Sequence, residues 1–309
     1  MSKAKSTILV TGGAGAIGSA LVQHLLSIKG KDYTVRVFDS DEYAIWMLQQ
    51  KLKGRRNVRF LVGSVRDYPR LQEAMHGVSY VFHCAALKHV ALCEYNPFDA
   101  VETNVIGTQN VIRAAFASNT VEKFVYISTD KAVNPTSLMG ATKLIGERLI
   151  LAANYIKGTR DIKLSAVRFP NVRETRGNVF EAWAKQLEKD GTILVTDPAM
   201  TRYFISIDRA VKFVMESFEN MKGGDIFIPA LGEDDIRKIV DVAEEWLTKQ
   251  SKPGKIVYGS PEFGEKYHEN LYTESEEPYI EEISKEVLAI RPPTYDFVDW
   301  THKGDRKES

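Results

Sequence analysis

Residues 7–18 read Thr7-Ile8-Leu9-Val10-Thr11-Gly12-Gly13-Ala14-Gly15-Ala16-Ile17-Gly18. A short apolar run meets a glycine-rich turn, and an amphipathic pattern from Ile17 to Ile28 follows it. Strand, turn and helix in that order aim backbone N–H groups and the positive helix end at one small space, where a pyrophosphate would sit. The glycines allow a tight turn and close approach of the phosphates, and Gly18 lets the helix pack near the strand. Asp39 closes a second strand at about the spacing of a ribose-binding acid, so the reading is a dinucleotide site. Its carboxylate can accept from a ribose 2′-hydroxyl and would repel a 2′-phosphate, which favours NAD over NADP. Arg55 and Arg66 keep NADP open, and Asp39 could instead cap the helix starting near Glu42, for which Asp41 is the more natural cap.

From that turn outward, β-branched runs alternate with amphipathic stretches, the pattern of parallel strands joined by crossover helices. The strands expected are Thr7–Val10, Val35–Phe38, Val58–Val62, Tyr80–His83, Lys123–Ser128 and Lys163–Arg168. Helix patterns lie at Ile17–Ile28, Glu42–Leu52, Pro69–Met75, Pro97–Ala117 and Ser137–Ile156. The fold class is therefore α/β, a doubly wound parallel sheet of the Rossmann type with a smaller C-terminal α/β lobe. After Phe169 the alternation breaks. Residues 1–169 are expected to bind the dinucleotide. Residues 170–294 are expected to form a substrate-binding lobe with some segments returning to the main domain, and 295–309 a polar, frayed tail. Within the lobe, helix patterns run over Val179–Lys189, Asp208–Asn220 and Ile236–Lys249, followed by an acidic stretch, Glu274–Glu277.

The 309 residues carry 41 Lys+Arg against 41 Asp+Glu. A chain of zero formal charge lacks the long-range attraction that draws proteins to nucleic acid or anionic lipid, so neither is an expected partner. No stretch is long and apolar enough for a signal peptide or a membrane span. Two cysteines, Cys84 and Cys93, fit small core residues in a reducing cytoplasm. No residue is assigned to a metal.

The spacing Gly12-x-x-Gly15-x-x-Gly18 resembles the extended short-chain dehydrogenase/reductase family, and in particular its nucleotide-sugar members. Three further segments look like the UDP-N-acetylglucosamine 4,6-dehydratases: Ala85-Ala86-Leu87-Lys88-His89-Val90, Ser128-Thr129-Asp130-Lys131-Ala132-Val133-Asn134-Pro135 and Gly140-Ala141-Thr142-Lys143. The likeness continues through Met200-Thr201-Arg202-Tyr203-Phe204 and Gly223-Gly224-Asp225-Ile226-Phe227 to Gly264-Glu265-Lys266. It implies a tightly held, recycled NAD contacted by Gly12, Ala14, Gly15, Ala16, Ile17, Gly18, Asp39, Ser64, Val65, Ala85 and Lys143. It also implies a UDP-sugar substrate and a homo-oligomer, in which helices such as Pro97–Ala117 and Ser137–Ile156 could pair between subunits.

Such enzymes oxidise the sugar at C4, eliminate water across C5 and C6 and return the hydride to C6. A C4 ketone makes the C5 proton acidic, a base removes it, and an acid protonates the departing C6 hydroxyl. Most short-chain dehydrogenases take the hydroxyl proton with a tyrosine four residues before a lysine. Here Lys143 is present but Met139 holds the tyrosine position, and a thioether has no proton to exchange. The same departure resembles a subset of the dehydratases. Asp130 and Lys131 lie just past the fifth strand, at the carboxyl edge where doubly wound sheets place ligands. By resemblance, Asp130 serves as acid toward the C6 hydroxyl and can accept the C4 proton, Lys131 removes the C5 proton, and Thr129 orients the C4 hydroxyl. A lysine base requires a depressed pKa, expected here from desolvation and the like charge of Lys143. The plainer alternative is a solvated Asp-Lys pair in a turn.

Lys88 and His89 follow the fourth strand and are expected to hold substrate, with a structural histidine the alternative for His89. Asn171, Arg176 and Arg202 lie where relatives bind the nucleotide diphosphate, a group suited to the arginine fork. Departures from the family pattern are Pro170 for glycine, Glu262 for a phosphate-facing arginine, and Ser64 for a common aspartate. Two rival readings stand beside the dehydratase: a nucleotide-sugar 4-epimerase or C4 oxidoreductase, against which Met139 argues, and a non-catalytic NAD-binding sensor or scaffold.

Overall fold

The computed structural model describes residues 6–30, 32–173, 175, 177–232, 235–261 and 263–293. Arg176, Glu262 and the expected 295–309 tail lie outside the described residues. Six strands alternate with helices from the start: β1 Ser6–Thr11, β2 Tyr33–Asp39, β3 Val58–Val62, β4 Tyr80–His83, β5 Lys123–Thr129 and β6 Lys163–Phe169. They pair in parallel in the order 3-2-1-4-5-6, as the doubly wound reading requires. The intervening helices are α1 Ala16–Ser27, α2 Glu42–Lys51, α3 Tyr68–Met75, α4 Val90–Tyr95, α5 Pro97–Val101, α6 Gly107–Ser118 and α7 Leu138–Ile156. Side-chain caps start several of them. Asp41 Oδ1 accepts the Ala44 N–H at 2.9 Å, and Ser137 Oγ accepts that of Gly140 at 3.2 Å.

Beyond β6 the chain forms β7 Asn171–Val172, α8 Val179–Asp190, β8 Thr192–Val195, β9 Thr201–Ile205, α9 Ile207–Asn220 and β10 Ile226–Pro229. It ends with β11 Ile236–Lys238, α10 Ile239–Thr248, β12 Lys255–Tyr258, β13 Ile280–Ser284 and β14 Val287–Ile290. Strand β10 pairs parallel with β6, and β14 and β13 follow antiparallel, so the main sheet has nine strands rather than six. Two small sheets, β11-β9-β7 and β12-β8, stand apart from it. Helices α1, α2 and α9 cover one face of the main sheet through Leu21, Ile45 and Phe213. Leu71, Val111 and Ile150 of α3, α6 and α7 cover the other. Burial on both faces explains why the parallel strands read as continuous apolar runs.

Two expectations change. The helix pattern at Ile236–Lys249 opens as strand β11, because its first residues pair antiparallel with Thr201, Arg202 and Tyr203. The long Pro97–Ala117 pattern is interrupted by a π-helical turn, Glu102–Ile106. That turn carries buried Asn104, whose Nδ2 donates to the Leu87 carbonyl at 2.9 Å while Oδ1 accepts the Leu87 N–H at 2.8 Å. In the acidic stretch, Glu276 meets Arg168 Nη1 at 3.0 Å in the interior. None of the described helices is long and apolar enough to cross a membrane.

Candidate active site

A cleft of about 1110 Å³ runs along the carboxyl ends of β1, β2, β4, β5 and β6 and under α8 and the 263–269 segment. At one end lies the glycine turn. Gly12 has φ +64, and a Cβ there would fall 2.6 Å from the Ala85 nitrogen, so only glycine lets the turn lie against β4's extension. Helix α1 begins after Gly15 with no side-chain cap, which leaves its first N–H groups available to an anion. Asp39 Oδ2 accepts the Ala14 N–H at 3.0 Å, joining the end of β2 to the turn. Asp39 is not the cap of α2, since Asp41 fills that position. Ala16, Ile17, Gly18, Ser64, Val65 and Ala85 line the same end. Of the two cations that left NADP open, Arg66 lines this cleft, and both are bonded to protein groups. Arg66 Nη1 donates to Asp99 Oδ1 at 2.8 Å, and Arg55 Nη1 to the Leu26 carbonyl at 3.3 Å.

At the middle of the cleft β5 ends in Thr129 and turns into a short 3₁₀ helix, Asp130–Ala132. Thr129 Oγ1 donates to Asp130 Oδ1 at 2.8 Å, and Lys131 Nζ donates to the same oxygen at 3.1 Å. Asp130 is fully buried and its Oδ2 has no hydrogen-bond partner, whereas Thr129 and Lys131 form part of the cleft wall. Asp130 is thus not solvated, and Lys131 is partly exposed toward the cleft. The expected depressed lysine pKa is not found. Burial pulls it down, but Asp130 and Glu269, the latter 3.5 Å away, outweigh burial and raise it, with Arg202 opposing weakly. The correction has a simple cause: two carboxylates, rather than the Lys143 cation, surround this ammonium.

Met139 is buried against Cys93 and Ala100 and also reaches the cleft. One turn on, Lys143 Nζ donates to the Ile127 carbonyl at 2.5 Å and sits 4.2 Å above the Tyr126 ring centre. Burial lowers the Lys143 ammonium pKa to about 8, with Glu147 and Cys84 opposing. Cys93 is a core residue as expected. Cys84 is half-buried on the cleft wall, with its thiol pushed up to about 12 by burial.

Lys88, His89, Asn171 and Arg202 line the far part of the cleft. Asn171 Oδ1 accepts from Lys131 Nζ at 3.4 Å, which ties the expected diphosphate region to the reactive pair. A Cβ on Gly177 would collide with the His89 ring, so the ring packs on that glycine. Burial lowers the pKa of both Lys88 and His89, opposed by Glu181. Arg202 Nη2 lies 3.3 Å from Glu265 Oε1. Sequence reasoning missed Glu269, a buried carboxylate between Lys131 and Lys266. Its one signal was its position three residues beyond Lys266 of the Gly264-Glu265-Lys266 segment.

The profile of the family described as polysaccharide biosynthesis protein matches residues 8–291. A UDP-N-acetylglucosamine 4,6-dehydratase (inverting) of Campylobacter jejuni is 38% identical over 96% of this chain and 85% of its own. A UDP-glucose 4-epimerase of Rickettsia felis is 34% identical over 87% of this chain and 78% of its own. The solved structure of Pen from Bacillus thuringiensis superimposes with a TM-score of 0.88 at 37% identity, covering 94% of this chain and 89% of that one. Along most of its length the chain is similar to nucleotide-sugar dehydratases and epimerases.

Proposed function

The chain belongs to the polysaccharide biosynthesis protein family, and from that premise we propose that it is a nucleotide-sugar 4,6-dehydratase acting on UDP-N-acetylglucosamine. The observation that carries this reading is the Thr129-Asp130-Lys131 group at the end of β5, with Asp130 buried and Thr129 and Lys131 on the cleft wall, where Met139 replaces a phenol. A dehydration needs an acid and a base at neighbouring carbons, and an aspartate paired with a lysine brings together the two groups for those roles.

The residues present fit NAD. The uncapped start of α1 and the glycine turn suit the pyrophosphate, and Asp39 suits an unphosphorylated ribose. Lys143 would hold the nicotinamide ribose. The cofactor supplies reversible hydride acceptance, so the oxidation at C4 is undone at C6 without net redox change. Within this chain, Thr129 orients the C4 hydroxyl and Asp130 accepts its proton. Asp130 then delivers that proton to the departing C6 hydroxyl while Lys131 removes the proton at C5. Lys88, His89, Asn171 and Arg202 grip the nucleotide diphosphate and sugar, with the arginine fork matched to phosphate oxygens.

Incubating the protein with UDP-N-acetylglucosamine and NAD tests the reading. Loss of one water from the sugar nucleotide is the expected result. Similarity to a 4-epimerase favours a second reading, and an unchanged mass with a new sugar would establish it. No product at all would leave a binding protein.

A further inference from the structure

Lys131 is held between two buried carboxylates. Asp130 Oδ1 lies 3.1 Å from Nζ and Glu269 Oε1 3.5 Å from it. Glu269 is 6% exposed, lines the cleft, and has a second oxygen, Oε2, 3.3 Å from Lys266 Nζ but without a well-directed hydrogen bond. Lys266 Nζ is itself turned to the Val133 carbonyl at 2.5 Å. Among the described residues, Arg202 also acts on Lys131 and pairs with Glu265.

The proposed dehydration, on which this inference rests, sets a proton count that Asp130 and Lys131 alone do not meet. An aspartate facing an ammonium offers one basic site. The C4 hydroxyl proton fills it, and that proton is then needed at the C6 oxygen. The C5 proton requires a second base, and an ammonium has no lone pair to offer.

We propose that Glu269 is a positioning residue that takes a proton from Lys131 and so frees the amine to act at C5. The step balances: Lys131 ammonium and Glu269 carboxylate become amine and carboxylic acid. The amine then accepts the C5 proton as the C5–H electron pair moves into the ring enolate. As water leaves from C6 it carries the Asp130 proton. One proton returned to C5, with Glu269 giving its own back, restores the starting charges. The transfer converts an ion pair into two neutral groups, and a cleft emptied of water by bound substrate favours neutral groups over separated or paired ions. The proton leaving Lys131 reaches Glu269 Oε1, the oxygen 3.5 Å from Nζ, while Oε2 stays beside Lys266 Nζ at 3.3 Å.

Two measurements on the full-length protein test this. In Glu269→Gln, the titration of Lys131, followed by NMR with isotope-labelled lysine, should move to lower pH, because one flanking carboxylate is gone. Water loss from UDP-N-acetylglucosamine by this variant near neutral pH should fall about 100-fold, then climb about tenfold per pH unit until Lys131 titrates. Glu269→Asp should recover part of the neutral-pH rate, and Glu269→Ala, which also lacks the carboxylate, carries the same two readings if the glutamine variant does not fold. A variant pH profile parallel to that of the wild type, or an unmoved Lys131 titration, overturns the proposal. If the wild-type chain removes no water, the dehydratase reading fails and takes this one with it. An active wild type with a flat variant profile defeats only the role of Glu269.

Discussion

Asp39 Oδ2 accepts the backbone N–H of Ala14 at 3.0 Å, so the acid at the end of β2 is fixed to the glycine turn. Its second oxygen accepts the Asp41 N–H at 3.1 Å. Both bonds orient the carboxylate at the cleft. Replacing Asp39 with Asn should weaken NAD binding about tenfold to hundredfold and narrow the preference over NADP. Calorimetric titration with both nucleotides checks it, and an unchanged ratio would remove Asp39 from cofactor choice.

Lys143 predicts a pH dependence of stability. Its ammonium pKa is lowered by burial to about 8, against 10.5 for the ordinary side chain. Between those values the unfolded chain binds a proton that the folded chain does not, so stability rises with pH through this window. Below pH 8 the folded protein carries the full cost. Relative to Lys143→Met, the wild type should therefore gain about 1–3 kcal/mol between pH 8 and 10.5. Urea unfolding at several pH values measures the difference, and parallel curves would contradict the burial argument.

Met139 should be replaceable. Its thioether packs on Cys93 and Ala100 and has no proton to transfer. A change to Leu conserves volume, so it should cost less than about 1.5 kcal/mol and leave the rate of water loss within about threefold. A large loss of rate in a folded Met139→Leu protein would assign the sulfur a role that the mechanism lacks.

Arg168 ties the last strands to the site. Its guanidinium lies 2.7 Å from Glu147 Oε2 and 3.0 Å from Glu276 Oε2, and Ser128 Oγ donates to Glu147 at 2.5 Å. Removing the cation would strand two buried carboxylates. Arg168→Met should destabilise the protein by about 3–5 kcal/mol, read from the shift in urea midpoint. A shift of a few tenths would show that the network is dispensable.

The first six strands were legible because parallel strands covered on both faces are mostly apolar, as the runs Val37–Phe38 and Phe124–Ile127 show. The return of β10, β13 and β14 to the same sheet was not, since four- and five-residue strands between loops leave little periodicity to read. The π-helical turn was hidden for a related reason: Asn104 looks like any polar helix residue until Leu87 is folded against it. Thr129, Asp130 and Lys131 could be placed by their position after a strand. Their charge state could not, because Glu269 reaches Lys131 from far along the chain.

Exchange of the C5 hydrogen of UDP-N-acetylglucosamine with heavy water, compared between wild type and Lys131→Met with NAD binding measured in both, tests the role of Lys131 most directly. The amine base predicts exchange in the wild type and none in the variant, with NAD held equally well. Exchange that persists without the Lys131 amine would contradict it.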